Sequence, residues 1–168
     1  MSALAVRPLA ADDRGWADAR LRASWGGTIM VTRGRVHDLG AAPDFVATIG
    51  GERIALATDR LAADGCELLS LDSPRKREGA GTALLAAVAG AARAAGCRRL
   101  WAISIDDNTR ALRFYQRRGF RLVALHRDTV AAARLLKPSI PPLDDDDIPI
   151  RDELELELPL HSPPADVP

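Results

Sequence analysis

The stretch from Gly65 to Ile105 places the tightest limit on what this chain can fold into. Gly65 to Leu71 reads as a strand and Arg99 to Ile105 as another, with an Ala-rich helix over 82–95 between them. In that helix Leu84, Leu85, Val88 and Ala92 recur at helical spacing, and Gly96 stands where a helix C′ residue is wanted. The strands before Gly65 follow a different rule. Phe45 to Ile49, the turn pair Gly50-Gly51, and Arg53 to Thr58 form a hairpin signal, and such short links leave no room for helical crossovers. Closely spaced strands followed by two strand–helix units predict an α+β fold. Its central sheet is expected to be mixed and mostly antiparallel, flanked by helices, rather than a doubly wound parallel sheet.

The remaining segments fit around this frame. Leu4 to Leu9 reads as a first strand, with Pro8 ending it or placing it at an edge. Asp12-Asp13 is expected to cap a helix running to about Ser24, with Trp16 and Leu21 on one face and Gly26-Gly27 breaking it. Residues 28–42 show no readable period. Asp107-Asn108 caps a helix from Thr109 to about Arg118, Gly119 stops it, and Phe120 to Leu125 returns as a strand. Between the last two strands lies an insertion over 128–150. It holds an amphipathic helix, Thr129 to Leu136, and a loop with Pro138, Pro141, Pro142 and the aspartates 144–147. Arg151 to Leu158 alternates strictly, which predicts a half-exposed final strand with its leucines inward and an edge that could pair with a second copy, giving a homodimer. We expect one domain over 1–160 and a disordered Pro-rich tail over 161–168.

Composition excludes several classes. Of 168 residues 47% are hydrophobic and 27% charged, a globular balance with formal net charge +0, which argues against a general nucleic-acid binder. There is no apolar run of about 18 residues, so no membrane span is expected. No basic segment followed by an apolar core opens the chain, so no signal peptide is expected. Cys66 and Cys97 are too few for a disulfide framework and fit small buried residues in a reduced, cytoplasmic protein. The three scattered His and two Cys lack ligand spacing, so no metal is expected.

The chemistry starts at Lys76-Arg77-Glu78-Gly79-Ala80-Gly81, directly before Thr82. Glycines at this spacing leave backbone N–H groups open at a helix N-terminus, whose partial positive charge suits a phosphate or pyrophosphate, and the basic residues reinforce it. Alone, the run is also compatible with an ordinary tight turn. It is neither a Gly-x-Gly-x-x-Gly fingerprint nor a loop ending in Gly-Lys-Ser/Thr.

Two blocks in order carry more. Leu71 to Leu85 contains the glycine run, and Asp107 to Phe120 contains Asn108, Phe114-Tyr115 and Gly119-Phe120. Together they resemble the GNAT superfamily of acetyl-CoA-dependent N-acetyltransferases, whose glycine motif is Gln/Arg-x-x-Gly-x-Gly/Ala; here Lys76 stands where Gln or Arg is usual. The resemblance implies a GNAT-like fold and acetyl-CoA as co-substrate. It implies that the pyrophosphate sits on amides from Arg77 to Thr82, with Lys76, Glu78, Gly79, Ala80 and Gly81 around it. It further implies that the pantetheine arm lies beside the strand Leu68 to Leu71, an N–H near Leu69 to Leu71 stabilising the oxyanion. Asn108, a helix cap in its own right, would also touch the cofactor, and Tyr115 would protonate the departing thiolate.

The proton acceptor is more open. A primary ammonium of pKa about 10.4 is only about 0.04% neutral at pH 7, a handicap of roughly 4.6 kcal/mol. Glu67, on the strand leading to the glycine loop, matches the position of a base in several relatives of the family, with His126 and Glu153 as alternatives. His37 lies in the stretch that lines the acceptor pocket in relatives, so His37 and His126 are the expected substrate contacts. No acyl-enzyme nucleophile is suggested. The expected function is acetyl transfer to a small-molecule amine by direct attack in a ternary complex. The rivals are a protein or peptide acceptor and a non-catalytic CoA-binding regulatory module.

Overall fold

Glycine turns set the local architecture. Gly50 and Gly51 have φ of 59° and 84°, the left-handed pair of a two-residue hairpin whose twist matches its flanking strands. The computed structural model describes residues 3–42, 44–76 and 78–161. Its elements are β1 (Leu4–Pro8), a 3-10 turn (Ala11–Asp13), α1 (Arg14–Trp25), β2 (Ile29–Thr32), β3 (Arg35–Asp38), β4 (Asp44–Ile49) and β5 (Glu52–Ala62). These are followed by β6 (Gly65–Asp72), α2 (Ala80–Ala94), β7 (Arg99–Ile105), α3 (Thr109–Gln116), β8 (Arg121–His126), α4 (Thr129–Leu136) and β9 (Glu153–Pro159). The fold is α+β with a mixed, mostly antiparallel sheet and four helices. The chain forms two compact units, one of Met1–Leu9, Pro43–Trp101 and Glu157–Pro168, the other of Ala10–Ala42 and Ala102–Leu156.

In the first unit β1, β4, β5 and β6 are successive antiparallel neighbours, paired from Leu4↔Ile49 to Ala62↔Gly65 with register shifts between Ala47 and Thr48 and between Thr58 and Asp59. The next strand, β7, is reached through α2, the crossover a parallel neighbour requires. The helix packs on β1, β4, β5 and β6 and buries Leu84, Leu85, Val88, Ala89 and Ala92. Arg99 ties this unit's far side, donating to Asp64 and Glu157 while its guanidinium lies 5.3 Å from the Trp101 ring centroid.

The second unit holds α1, the β2–β3 hairpin, α3, α4 and the strand order β7-β9-β8. The expected helix over 12–24 forms, but its buried ridge is Ala17 and Leu21, one turn apart, while Trp16 is only half-buried. The Asp13 carboxylate accepts from the Ala10 N–H at 2.8 Å and closes the 3-10 turn instead of capping α1. Residues 28–42 resolve into a hairpin whose turn residues Arg33 and Gly34 have φ of 50° and 71°. The insertion is a packed structure. Arg134 donates to the carbonyls of Ile140, Pro141 and Ile150, Lys137 donates to that of Trp25, and Ile150 is buried. The Asp144 carboxylate accepts from the Asp146 and Ile148 amides at 2.8 Å, so it is committed to its own turn.

The expectation of a half-exposed final strand needs correcting. β9 lies between two strands, and Glu153 and Glu155 are 2% and 6% exposed, buried like the neighbouring Leu156. Both faces are covered because the carboxylates find partners. The edge of this unit is β8, where Leu122, Val123 and Leu125 are exposed, so β9 offers no free edge to a second copy. Residues 162–168 of the expected tail lie outside the described residues, and among those described no helix is long and apolar enough to cross a membrane.

Gly65 links two parts of the first unit tightly. Its φ is 144°, and a Cβ there would stand 2.6 Å from the Arg99 carbonyl oxygen. Gly65→Ala is therefore expected to destabilise folding by about 1–3 kcal/mol, read as a lower urea midpoint with an unchanged denaturant slope.

Candidate functional site

The first unit presents a helix N-terminus without a side-chain cap. Gly79, the N-cap of α2, has φ of 77° and no side chain, and the first bond back into the helix runs from Ala83 N–H to Gly79 O. The amides of Ala80 and Gly81 therefore precede the helical ladder with no side-chain cap to occupy them. Lys76 and Glu78 are exposed beside them, whereas Arg77 lies outside the described residues. Thr82 completes the first turn.

The strand feeding this loop is irregular where it matters. Asp59 pairs with Leu68 and Thr58 with Ser70, so Leu69 has no partner on β5 and forms a bulge. A bulge leaves an extra residue outside the ladder and re-aims its backbone groups. Leu69 is buried and Leu71 half-buried on the same strand. Glu67, 1% exposed, is held by its register partner Arg60, whose Nε and Nη2 donate to Oε2 at 3.0 and 2.6 Å. Close by, the Cys66 thiol donates to Asp59 at 3.4 Å, and burial pushes the pKa of both groups up, which leaves the thiol unreactive.

The second unit contains the other block. Asn108 Oδ1 accepts from the Ala111 N–H at 3.0 Å, the expected cap, and its exposed amide nitrogen makes no bond to a described residue. Gly119, with φ of 89°, lets the chain reverse so that Phe120 N–H reaches Tyr115 O. This brings Phe120 to 5.1 Å from Tyr115 between ring centroids, with Phe114 at 5.4 Å in edge contact. The Gly-Phe pair thus buries the tyrosine ring. Its hydroxyl has no hydrogen-bond partner among the described residues, and burial raises its pKa above that of a free phenol.

A polar network joins the two predicted histidines through the β2–β3 turn. His37 Nε2 and Thr32 Oγ1 are 2.7 Å apart. The next residue, Arg33, donates its backbone N–H to both oxygens of Glu153, at 2.9 and 3.2 Å, and its guanidinium lies 3.6 Å from Glu155 Oε2. That same oxygen is 2.8 Å from His126 Nε2. Sequence reasoning singles out His37, His126 and Glu153 but misses Arg33 and Glu155. The signal for Glu155 is weak, because a Glu-Leu alternation ordinarily places its carboxylates in water. Glu67, Leu69, Leu71 and the glycine loop belong to the first unit; Asn108, Tyr115, His37 and His126 belong to the second. Among the described residues no group of three His, Cys, Asp or Glu could hold a metal ion.

Comparison with known proteins adds a family. The pattern of the acetyltransferase (GNAT) family matches residues 40–120. The uncharacterized protein YxbD of Bacillus subtilis is 38% identical over 133 residues, covering 79% of this chain and 84% of its own. Among solved structures, the IAA acetyltransferase from Bacillus cereus superposes with a TM-score of 0.70 at 16% identity, over 94% of this chain and 99% of its own. A GNAT family acetyltransferase from Elizabethkingia anophelis with acetyl-CoA bound gives 0.64 at 16% identity, over 93% and 97%.

Tyr115 is the chain's single tyrosine, so ultraviolet titration of tyrosinate reports on it alone. The folded protein should ionise well above the free phenol's value of about 10, and unfolding in guanidinium should restore that value. Because the folded pKa is the raised one, Tyr115 stabilises the fold below pH about 10, and that contribution declines as pH rises further.

Proposed function

Because this chain belongs to the GNAT superfamily of acetyltransferases, we propose that it moves the acetyl group of acetyl-CoA to a primary amine of a small molecule, by direct attack in a ternary complex. The observation that carries this reading is the uncapped N-terminus of α2. Its open amides follow a glycine in the left-handed region, with Lys76 beside them. Amides aligned on a helix dipole suit a pyrophosphate, the charged part of CoA. The bulge at Leu69 supports the companion assignment, in which a backbone N–H of this stretch would meet the thioester oxygen.

On this reading Asn108 caps α3 with one end of its amide and meets the cofactor with the other. Tyr115 supplies the proton that the CoA thiolate takes as it leaves. Its raised pKa keeps the phenol protonated at every physiological pH, which a donor requires, and also makes it a weaker acid. A thiolate with pKa about 8.5 is a fair leaving group unaided. The tyrosine is therefore a moderate contributor. Glu67, the base that the resemblance implies, is engaged by two donors of Arg60 on the neighbouring strand, and on this reading it holds β5 against β6 rather than taking the proton.

Thiol release from acetyl-CoA across a panel of small amines tests the activity directly; release with peptide amines alone would move the acceptor to the protein class, and release with none would leave a CoA-binding module. Gly79→Val forces a β-branched residue into a left-handed backbone, costing about 1–2 kcal/mol, and should weaken acetyl-CoA binding about tenfold by calorimetry. Tyr115→Phe should lower kcat about 10–10³-fold and leave acetyl-CoA affinity unchanged.

A further inference from the structure

We propose that His126 takes the proton from the acceptor amine and that Glu155 is the residue that positions it, an assignment that rests on the acetyl-transfer reading above. The geometry settles which nitrogen acts. Ionised, the Glu155 carboxylate only accepts, so the imidazole nitrogen 2.8 Å from it, Nε2, carries the hydrogen. In the neutral ring the lone pair is then on Nδ1, which makes no bond to a described residue. The His126 side chain is 22% exposed while Glu155 is 7%, so the ring is within reach of a small molecule and the carboxylate that holds it is buried.

The backbone beneath the ring is fixed from both sides. Thr129 Oγ1 donates to the His126 carbonyl at 3.0 Å, and the Asp128 N–H donates to Asp152 Oδ1 at 2.8 Å across a turn in which Asp128 has φ of 59°. A base clamped in this way loses little freedom on reaction.

Charge gives the second argument. The Glu155 carboxylate, 6% exposed, lies against both the His126 ring and the Arg33 guanidinium. An imidazolium formed at His126 therefore stands directly beside a buried carboxylate able to stabilise it. The step is simple. The ammonium N–H bond breaks, its electron pair stays on nitrogen as the nucleophile, and the proton forms a bond to Nδ1. The imidazolium so made is stabilised by Glu155 and returns the proton to water after transfer.

The test uses the full chain and an amine that the wild-type protein acetylates. His126→Gln retains a side-chain donor toward Glu155 and should lower kcat about 10²-fold with the acetyl-CoA KM unchanged. His126→Ala should behave likewise and recover part of its kcat with added imidazole. Glu155→Gln should lower kcat about tenfold alone and cause no further loss when combined with His126→Gln, since a positioning residue acts only through the group it positions. A folded His126→Gln enzyme within threefold of wild-type kcat overturns the assignment alone. A Glu155→Gln loss that persists in the double variant makes Glu155 merely structural and overturns its role. A wild-type protein that releases no thiol with any amine overturns the acetyl-transfer reading itself.

Discussion

The burial of one face of α2 is the constraint on which the first unit depends. Leu84, Leu85 and Val88 are fully or almost fully buried, and a buried side chain of this kind contributes about 1.5–3 kcal/mol. That sum far exceeds the roughly 1 kcal/mol scale of the backbone effects at the helix start. Packing therefore dictates where the helix points, and the glycine turn conforms to it. The direction of the electropositive helix end is thus a by-product of a hydrophobic contact.

The second unit works in the opposite way. Here polar groups are buried, and each carboxylate removed from water must find a partner or cost several kcal/mol. Glu153 and Glu155 find theirs in a hairpin turn and a neighbouring strand, and the adjacent Leu156 is left to the core. Such an arrangement contributes little to stability. Its value is placement, since a histidine tied to a buried glutamate has one nitrogen held and one nitrogen available.

Much of the frame is readable from neighbouring residues. Gly50-Gly51 marks its hairpin because two adjacent left-handed residues are unfavourable for other side chains, and the α2 ridge follows from residues three and four apart. Asn108 caps α3 through a bond spanning three residues. The glycine loop before α2 and the tyrosine block are legible for the same reason. What escapes a reading of the chain involves distant partners. Residues 28–42 look patternless because their hairpin is held by Arg33 against Glu153, 120 positions away. Alternation sends the β9 glutamates to water because it says which residues share a face, not what covers it. Trp16 gives way to Ala17 because the small residue fits the packed side of α1.

The amino-acid sequence by itself therefore determined the order of elements, the glycine turns, the open helix end and the tyrosine block. These rest on backbone sterics and on periodicities of two and 3.6 residues, which act within one or two turns of chain. Tertiary structure alone decided that β9 is an inner strand, that Leu69 leaves the ladder, that Arg60 occupies Glu67, and that Arg33, His126 and Glu155 meet. Those outcomes depend on which distant segments share the core, where burial makes an unpaired charge too costly to leave alone.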